Sequence, residues 1–187
     1  MPTFIALLRG INVSGQKIIR MEDLRASFKA LGFRNVRTYV QSGNVVFKAA
    51  PAPTEALRGE IEAGIRKAVR FEVPVVIRRL RELKGIIARD PFGSEKLRKG
   101  ETRYVTFLSG KPSHSGLMKL NEVDGGPDHL KVLGAEVYLS CVKGYAKNKY
   151  SNTLIEKVLG LTATTRNWVT TCALYDIGRV MEAAVDS

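Results

Sequence analysis

The stretch Val36-Arg37-Thr38-Tyr39-Val40-Gln41-Ser42-Gly43-Asn44-Val45-Val46-Phe47-Lys48 decides the fold. Its halves, 36–40 and 44–48, suit extended chain and are separated only by Gln41-Ser42-Gly43, which reads as a hairpin. Upstream, Met21, Leu24, Phe28 and Leu31 recur at three-to-four spacing and stop at Gly32, the pattern of an amphipathic helix. Before that helix, residues 3–8 are continuously apolar after Thr3, as in a strand covered on both faces. Downstream, Pro51 and Pro53 mark a connection, and Thr54 is an expected N-cap for a helix through Leu57, Ile61, Ile65 and Val69. Val73–Ile77 supplies another strand. The order is βαββαβ, the split pattern of ferredoxin-like folds.

The remaining residues repeat that order. After a short helix carrying Leu80, Leu83, Ile86 and Ile87 on one side, residues 90–101 place Pro91, Gly93 and Gly100 among charges. This predicts an N-terminal lobe over 1–90, a linker over 91–100 and a C-terminal lobe over 101–187. Within the second lobe, 104–108 reads as a strand and 115–123 as a helix. A hairpin follows around Gly134 (130–133 and 136–141), then a helix over 152–159 ended by Gly160. An extended piece over 164–168 and a terminal helix over 169–184 complete the pattern. The expected class is α+β: two ferredoxin-like lobes with mixed or antiparallel sheets and a C-terminal helix.

Composition narrows the partners. The formal charge is +12, and it is uneven: residues 1–100 hold 20 Lys/Arg against 9 Asp/Glu, residues 101–187 hold 10 against 9. Such a charge favours anionic partners at long range. No run of about 18 apolar residues predicts a membrane span, and Arg9 comes too early for a secretory leader. Cys141 and Cys172 lie in no metal-like spacing and read as reduced thiols of a cytoplasmic protein. With His114 and His129 the only histidines, no metal site and no metal or organic cofactor is expected.

The residues that stand out are donors. Leu7-Leu8-Arg9-Gly10-Ile11-Asn12-Val13-Ser14-Gly15-Gln16-Lys17 leaves an apolar strand through a glycine-punctuated turn carrying two cations. Such a turn can aim backbone N–H groups at an anion. It is neither a phosphate loop with Gly-Lys-Ser/Thr nor a three-glycine dinucleotide turn. A tight turn capped by Asn12 accounts for the glycines, yet leaves Arg9, directly after the strand, unexplained. In a βαββαβ lobe the first and third strands are antiparallel neighbours, so Ser42, Gly43 and Asn44 should lie beside Arg9, Gly10 and Asn12. A further donor pair, Arg166 and Asn167, precedes a helix within Thr164–Thr170. The expected ligand is therefore an anionic small molecule or nucleotide, held by Arg9, Gly10, Asn12, Lys17, Ser42, Gly43, Asn44, Arg166 and Asn167 in a cleft between the lobes.

Two other classes compete with that reading. Residues 66–99 carry 11 Lys/Arg against 4 acids and could follow a nucleic-acid backbone, although a solvated basic face explains the run as well. The aromatic signature of RNA-recognition domains is absent, with only Phe4 and Phe47 on the first and third strands. The loop Gly144–Asn152 mixes Tyr145 and Tyr150 with lysines in the manner of a stacking surface. A metal-independent transferase or hydrolase would have Glu156 or a tyrosine as its acid/base group, without any triad or carboxylate pair to support it. Whether the chain catalyses anything, and its oligomeric state, are left open.

Four ordered blocks, Leu7–Val13, Thr38–Val45, Ile155–Gly160 and Thr165–Trp168, together closely resemble the bacterial domain-of-unknown-function family DUF1697. Ser14 and Val169 depart from that pattern, standing where a second glycine and an asparagine are expected. The resemblance implies a cytoplasmic α+β protein and brings no established activity.

Overall fold

The computed structural model describes residues 1–13 and 15–184. Its first sheet contains β1 (Thr3–Leu8), β2 (Arg34–Tyr39), β3 (Asn44–Lys48) and β4 (Val75–Arg79) in the order β2-β3-β1-β4. Every neighbouring pair is antiparallel, with Leu7 opposite Asn44 and Leu8 opposite Val75. Helices α1 (Met21–Ala30) and α2 (Thr54–Val69) bury Leu24, Phe28, Leu57, Ile61 and Ile65 in the core formed with Phe4, Ala6, Val45 and Phe47. The Phe47 ring lies 4.7 Å from Phe33 and 5.3 Å from Phe28, so the centre of the third strand anchors the core. Burying one such ring is worth about 1.5–3 kcal/mol. Thr54 is the first helical residue rather than the cap. Pro53, with φ −59°, stands before it, and no side-chain bond closes the helix start.

The second sheet repeats the topology with β5 (Thr102–Leu108), β6 (His129–Leu133), β7 (Glu136–Cys141) and β8 (Ala163–Asn167), ordered β6-β7-β5-β8 and again wholly antiparallel. The extended piece before the last helix is thus a full strand paired with β5. Helices α4 (His114–Asn121) and α5 (Asn152–Leu159) contribute Leu120, Ile155 and Leu159 to a separate core. Both start at serines whose hydroxyls accept backbone N–H groups, Ser113 from Gly116 and Ser151 from Leu154.

The division of the chain differs from the expected linker. One compact unit is Met1–Gly85 with the stretch from Cys172 onward; the other is Ile86–Thr171. The boundaries fall inside α3 (Leu80–Ala88) and α6 (Trp168–Ala183). In the first unit α6 comes down on the corner after β4, where a Cβ on Gly178 would overlap the Leu80 side chain. Residues 91–100 are irregular, as read, but they are fastened within the second unit. Phe92 is 2% exposed, and Arg98 donates to the Pro127 carbonyl and the Ser140 hydroxyl. Arg103 donates to the Glu95 carbonyl.

Glu101 is the acid at the centre of that fastening. Burial alone would raise its pKa. The Arg98 N–H at 2.8 Å, the Ser140 hydroxyl at 2.8 Å and the Arg98 guanidinium overcome it and bring it from 4.5 to about 2. A depressed carboxylate stabilises the folded chain above its unfolded pKa, and that contribution is lost as pH falls from about 4.5 toward 2. The wild-type urea midpoint should therefore fall across this window more steeply than that of Glu101→Gln. Parallel pH profiles would disprove the assignment.

Candidate functional site

Three connections meet where β1 ends. The residues after β1, the β2–β3 turn and the α2–β4 loop are tied by backbone bonds from Leu8 N–H to the Gly43 carbonyl and from Arg9 N–H to the Pro74 carbonyl, both 2.8 Å. Gly43, at φ 76°, has no room for a side chain, because a Cβ would stand 2.7 Å from Leu8 Cβ and 2.9 Å from Ile11 Cδ1. Asn12 then stitches the loops. Its Nδ2 donates to the carbonyls of Ile19 (2.9 Å) and Gln41 (2.8 Å), and its Oδ1 accepts the Ile19 N–H at 2.8 Å. Lys17 Nζ reaches the Glu72 carbonyl at 2.8 Å and lies 5.9 Å from the Phe71 ring centroid.

Of the expected ligand residues, Arg9, Gly10, Asn12, Lys17, Ser42, Gly43 and Asn44 gather at this one end of the first sheet. Asn44 is fully buried and its Nδ2 donates to the Tyr39 carbonyl and Ser42 Oγ, both 3.0 Å, so it shapes the turn. Ser14, part of the same loop, lies outside the described residues. Arg166 and Asn167 belong to the second unit, at the end of β8. Arg166 is 7% exposed and donates through Nη1 to Thr164 Oγ1 and the Thr165 carbonyl. Asn167 Oδ1 accepts the Thr170 N–H at 2.7 Å, which makes it the N-cap of α6.

Other singled-out residues have structural partners. In the second unit Tyr145, Asn152, Thr165 and Thr106 form one polar network. Thr165 Oγ1 lies 2.7 Å from both Asn152 Oδ1 and Thr106 Oγ1 and 3.1 Å from the Tyr145 hydroxyl. Glu156 Oε1 accepts the N–H of Ala163, the first residue of β8. Glu62 does the same for Val75 at the start of β4, so both units latch the helix before the fourth strand to that strand with a glutamate. Within the basic run, Arg78 is buried with Nη1 on the Ile77 carbonyl, and Arg66 pairs with Glu72. Cys141 is buried, and that burial pushes its thiol up to about 12, an unreactive state. Among the described residues no group of three His, Cys, Asp or Glu could hold a metal ion, and no helix is long and apolar enough to cross a membrane.

The sequence reading missed the α2–β4 loop, although the topology places the start of β4 beside the end of β1. It also missed the backbone strain. The left-handed region is occupied here by Gly10, Asn12, Gly15, Lys17, Val40, Gly43 and Arg70. For Val40, β-branched and 51% exposed, that conformation is a genuine outlier.

Two antiparallel sheets of one topology, each with its own helix pair, define a tandem ferredoxin-like α+β protein. The chain belongs to the family described as "Protein of unknown function (DUF1697)", which matches residues 1–138. The Ile155–Gly160 and Thr165–Trp168 blocks lie beyond that match. A solved structure, that of the conserved bacterial protein SP0830 from Streptococcus pneumoniae, is similar over 96% of this chain and 99% of its own. Its TM-score is 0.77 at 19% identity, which carries the fold alone. No curated protein matches the chain.

Because Asn12 holds both loops and tolerates the left-handed backbone, Asn12→Ala should cost about 2–4 kcal/mol in urea unfolding. Asn12→Asp, which keeps the acceptor and the backbone tolerance, should cost less. Equal midpoints for all three chains would show that the stitch contributes nothing.

Proposed function

We propose that the first unit binds a phosphorylated small molecule or nucleotide where the three loops meet after β1. The observation that carries this is an internal comparison. The second unit builds the same corner, with Leu108 N–H on the Ala135 carbonyl at 3.0 Å and Ser109 N–H on the Thr162 carbonyl at 2.9 Å. There an alanine stands in place of Gly43 and a serine in place of Arg9. Among the described residues of that unit, left-handed backbone occurs only at glycines. In the first unit's corner three non-glycine residues adopt it, Asn12, Lys17 and Val40, apart from Arg70, whose left-handed C-cap of α2 has its counterpart in Gly160 at the end of α5. The fold alone therefore does not require the strain, and strain beyond what a fold needs collects at binding sites, at about 1–3 kcal/mol per residue.

The chemistry of the loops points to an anion. Arg9 and Lys17 stand on the first loop and Arg70 closes α2, while Glu72 is drawn onto Arg66. A guanidinium can grip two phosphate oxygens at once, and turns rich in left-handed residues present successive N–H groups to one side. Asn12 and Asn44 hold the loops in register, and the groups assigned to the ligand are Arg9, Lys17, Ser42 and the glycine N–H groups.

A phosphorylated ligand at ten times its dissociation constant should stabilise the protein by about 1.4 kcal/mol, a rise of roughly 3–6 °C in melting temperature. Screening nucleotides and sugar phosphates with Arg9→Ala as the comparison tests this. A shift that survives Arg9→Ala and Lys17→Ala undiminished would place the ligand elsewhere.

A further inference from the structure

At the opposite end of β1 the first unit contains a cavity of about 400 Å³, within the size range of small-molecule sites. Its walls are the start of β1, the β3–α2 connection, the turn from β4 into α3, and one side of α6. Apolar surface comes from Phe4, Pro51 and Leu80, with the Tyr175 ring on the α6 side. Four cations line it, Arg79, Arg81, Lys84 and Arg179, against one carboxylate, Glu182.

One buried polar group there has no partner. Thr3 lines the cavity at 2% exposure, and its hydroxyl is buried with no hydrogen-bond partner. Its register partner across the sheet, Lys48, is 5% exposed. Opposite residues of paired strands share a face, so Lys48 stands on the same face of the sheet as Thr3. Arg79 is fixed in place, with Nη2 on the Ala52 carbonyl at 3.0 Å and its backbone N–H on Glu82 at 2.6 Å. Arg179 stands 3.7 Å from Asp176. A valine would fill the Thr3 position without leaving a buried hydroxyl unsatisfied, so the hydroxyl is a cost to folding.

The geometry points to a second anion site in this cavity, one that takes a nucleoside mono- or diphosphate. The phosphate would sit among Arg79, Arg81, Lys84 and Arg179 and accept the Thr3 hydroxyl, while the base packs on the apolar wall beside Tyr175. The cations supply charge-assisted donors.

Isothermal titration of the whole protein with AMP, ADP, inorganic phosphate and a ten-nucleotide single strand tests the site. The expected result is saturable AMP or ADP binding that Arg81→Glu and Lys84→Glu each weaken by about tenfold or more. Thr3→Val should weaken it too while leaving the melting temperature of the free protein unchanged or higher, which a merely structural threonine would not do. Arg9→Ala should leave this binding intact, whereas the site proposed at the loops should lose its ligand there and keep it in Arg81→Glu. Inorganic phosphate binding as tightly as AMP, an oligonucleotide binding where mononucleotides do not, or titrations unaffected by Arg81→Glu would each overturn the proposal.

Discussion

Gly43 presents its carbonyl to the Leu8 N–H at 2.8 Å and has its Cα pressed so close to β1 that no side chain fits between them. That contact fixes the register of the two central strands at the end where the loops emerge. Because β1 also pairs with β4, holding the β1–β3 register holds the start of β4 as well, and with it the loop that supplies Pro74 and Glu72. A one-residue slip would exchange the two faces of the strand, putting Phe4, Ala6 and Leu8 on the side away from α1 and α2. The core and the candidate site thus depend on the same close approach.

Much of the architecture was legible because its signals are local. The hairpin at 36–48, the helical spacing of Met21, Leu24 and Phe28, and the glycine stop at Gly160 each reflect a period or a backbone preference within a few residues. The neighbourhood of Arg9 and Asn44 was legible too, since it follows from strand order once the order is known. Boundaries were not. Residues 91–100 look like a linker from their prolines, glycines and charges, and only Arg98 meeting Pro127 and Ser140, and Lys131 reaching the Pro91 carbonyl, show otherwise. Nor could composition reveal that Asn12 and Asn44 direct their amides at backbone carbonyls, or that Thr3 carries an unpartnered hydroxyl.

The two units make an internal control for every such reading. They share strand order, the pair of backbone bonds at the end of the first strand, and the glutamate latch of Glu62 and Glu156. These shared features are what the topology demands. What differs without touching the register, Arg9 against Ser109, lies outside that demand.

One consequence concerns the order in which the chain is made. The second unit is continuous in sequence, whereas the first is closed only by the stretch from Cys172 onward. Units emerging from the ribosome fold as their residues become available. The middle of the polypeptide can therefore reach its final form while the earlier-made portion still waits, with Leu80 uncovered, for Gly178 to be synthesised.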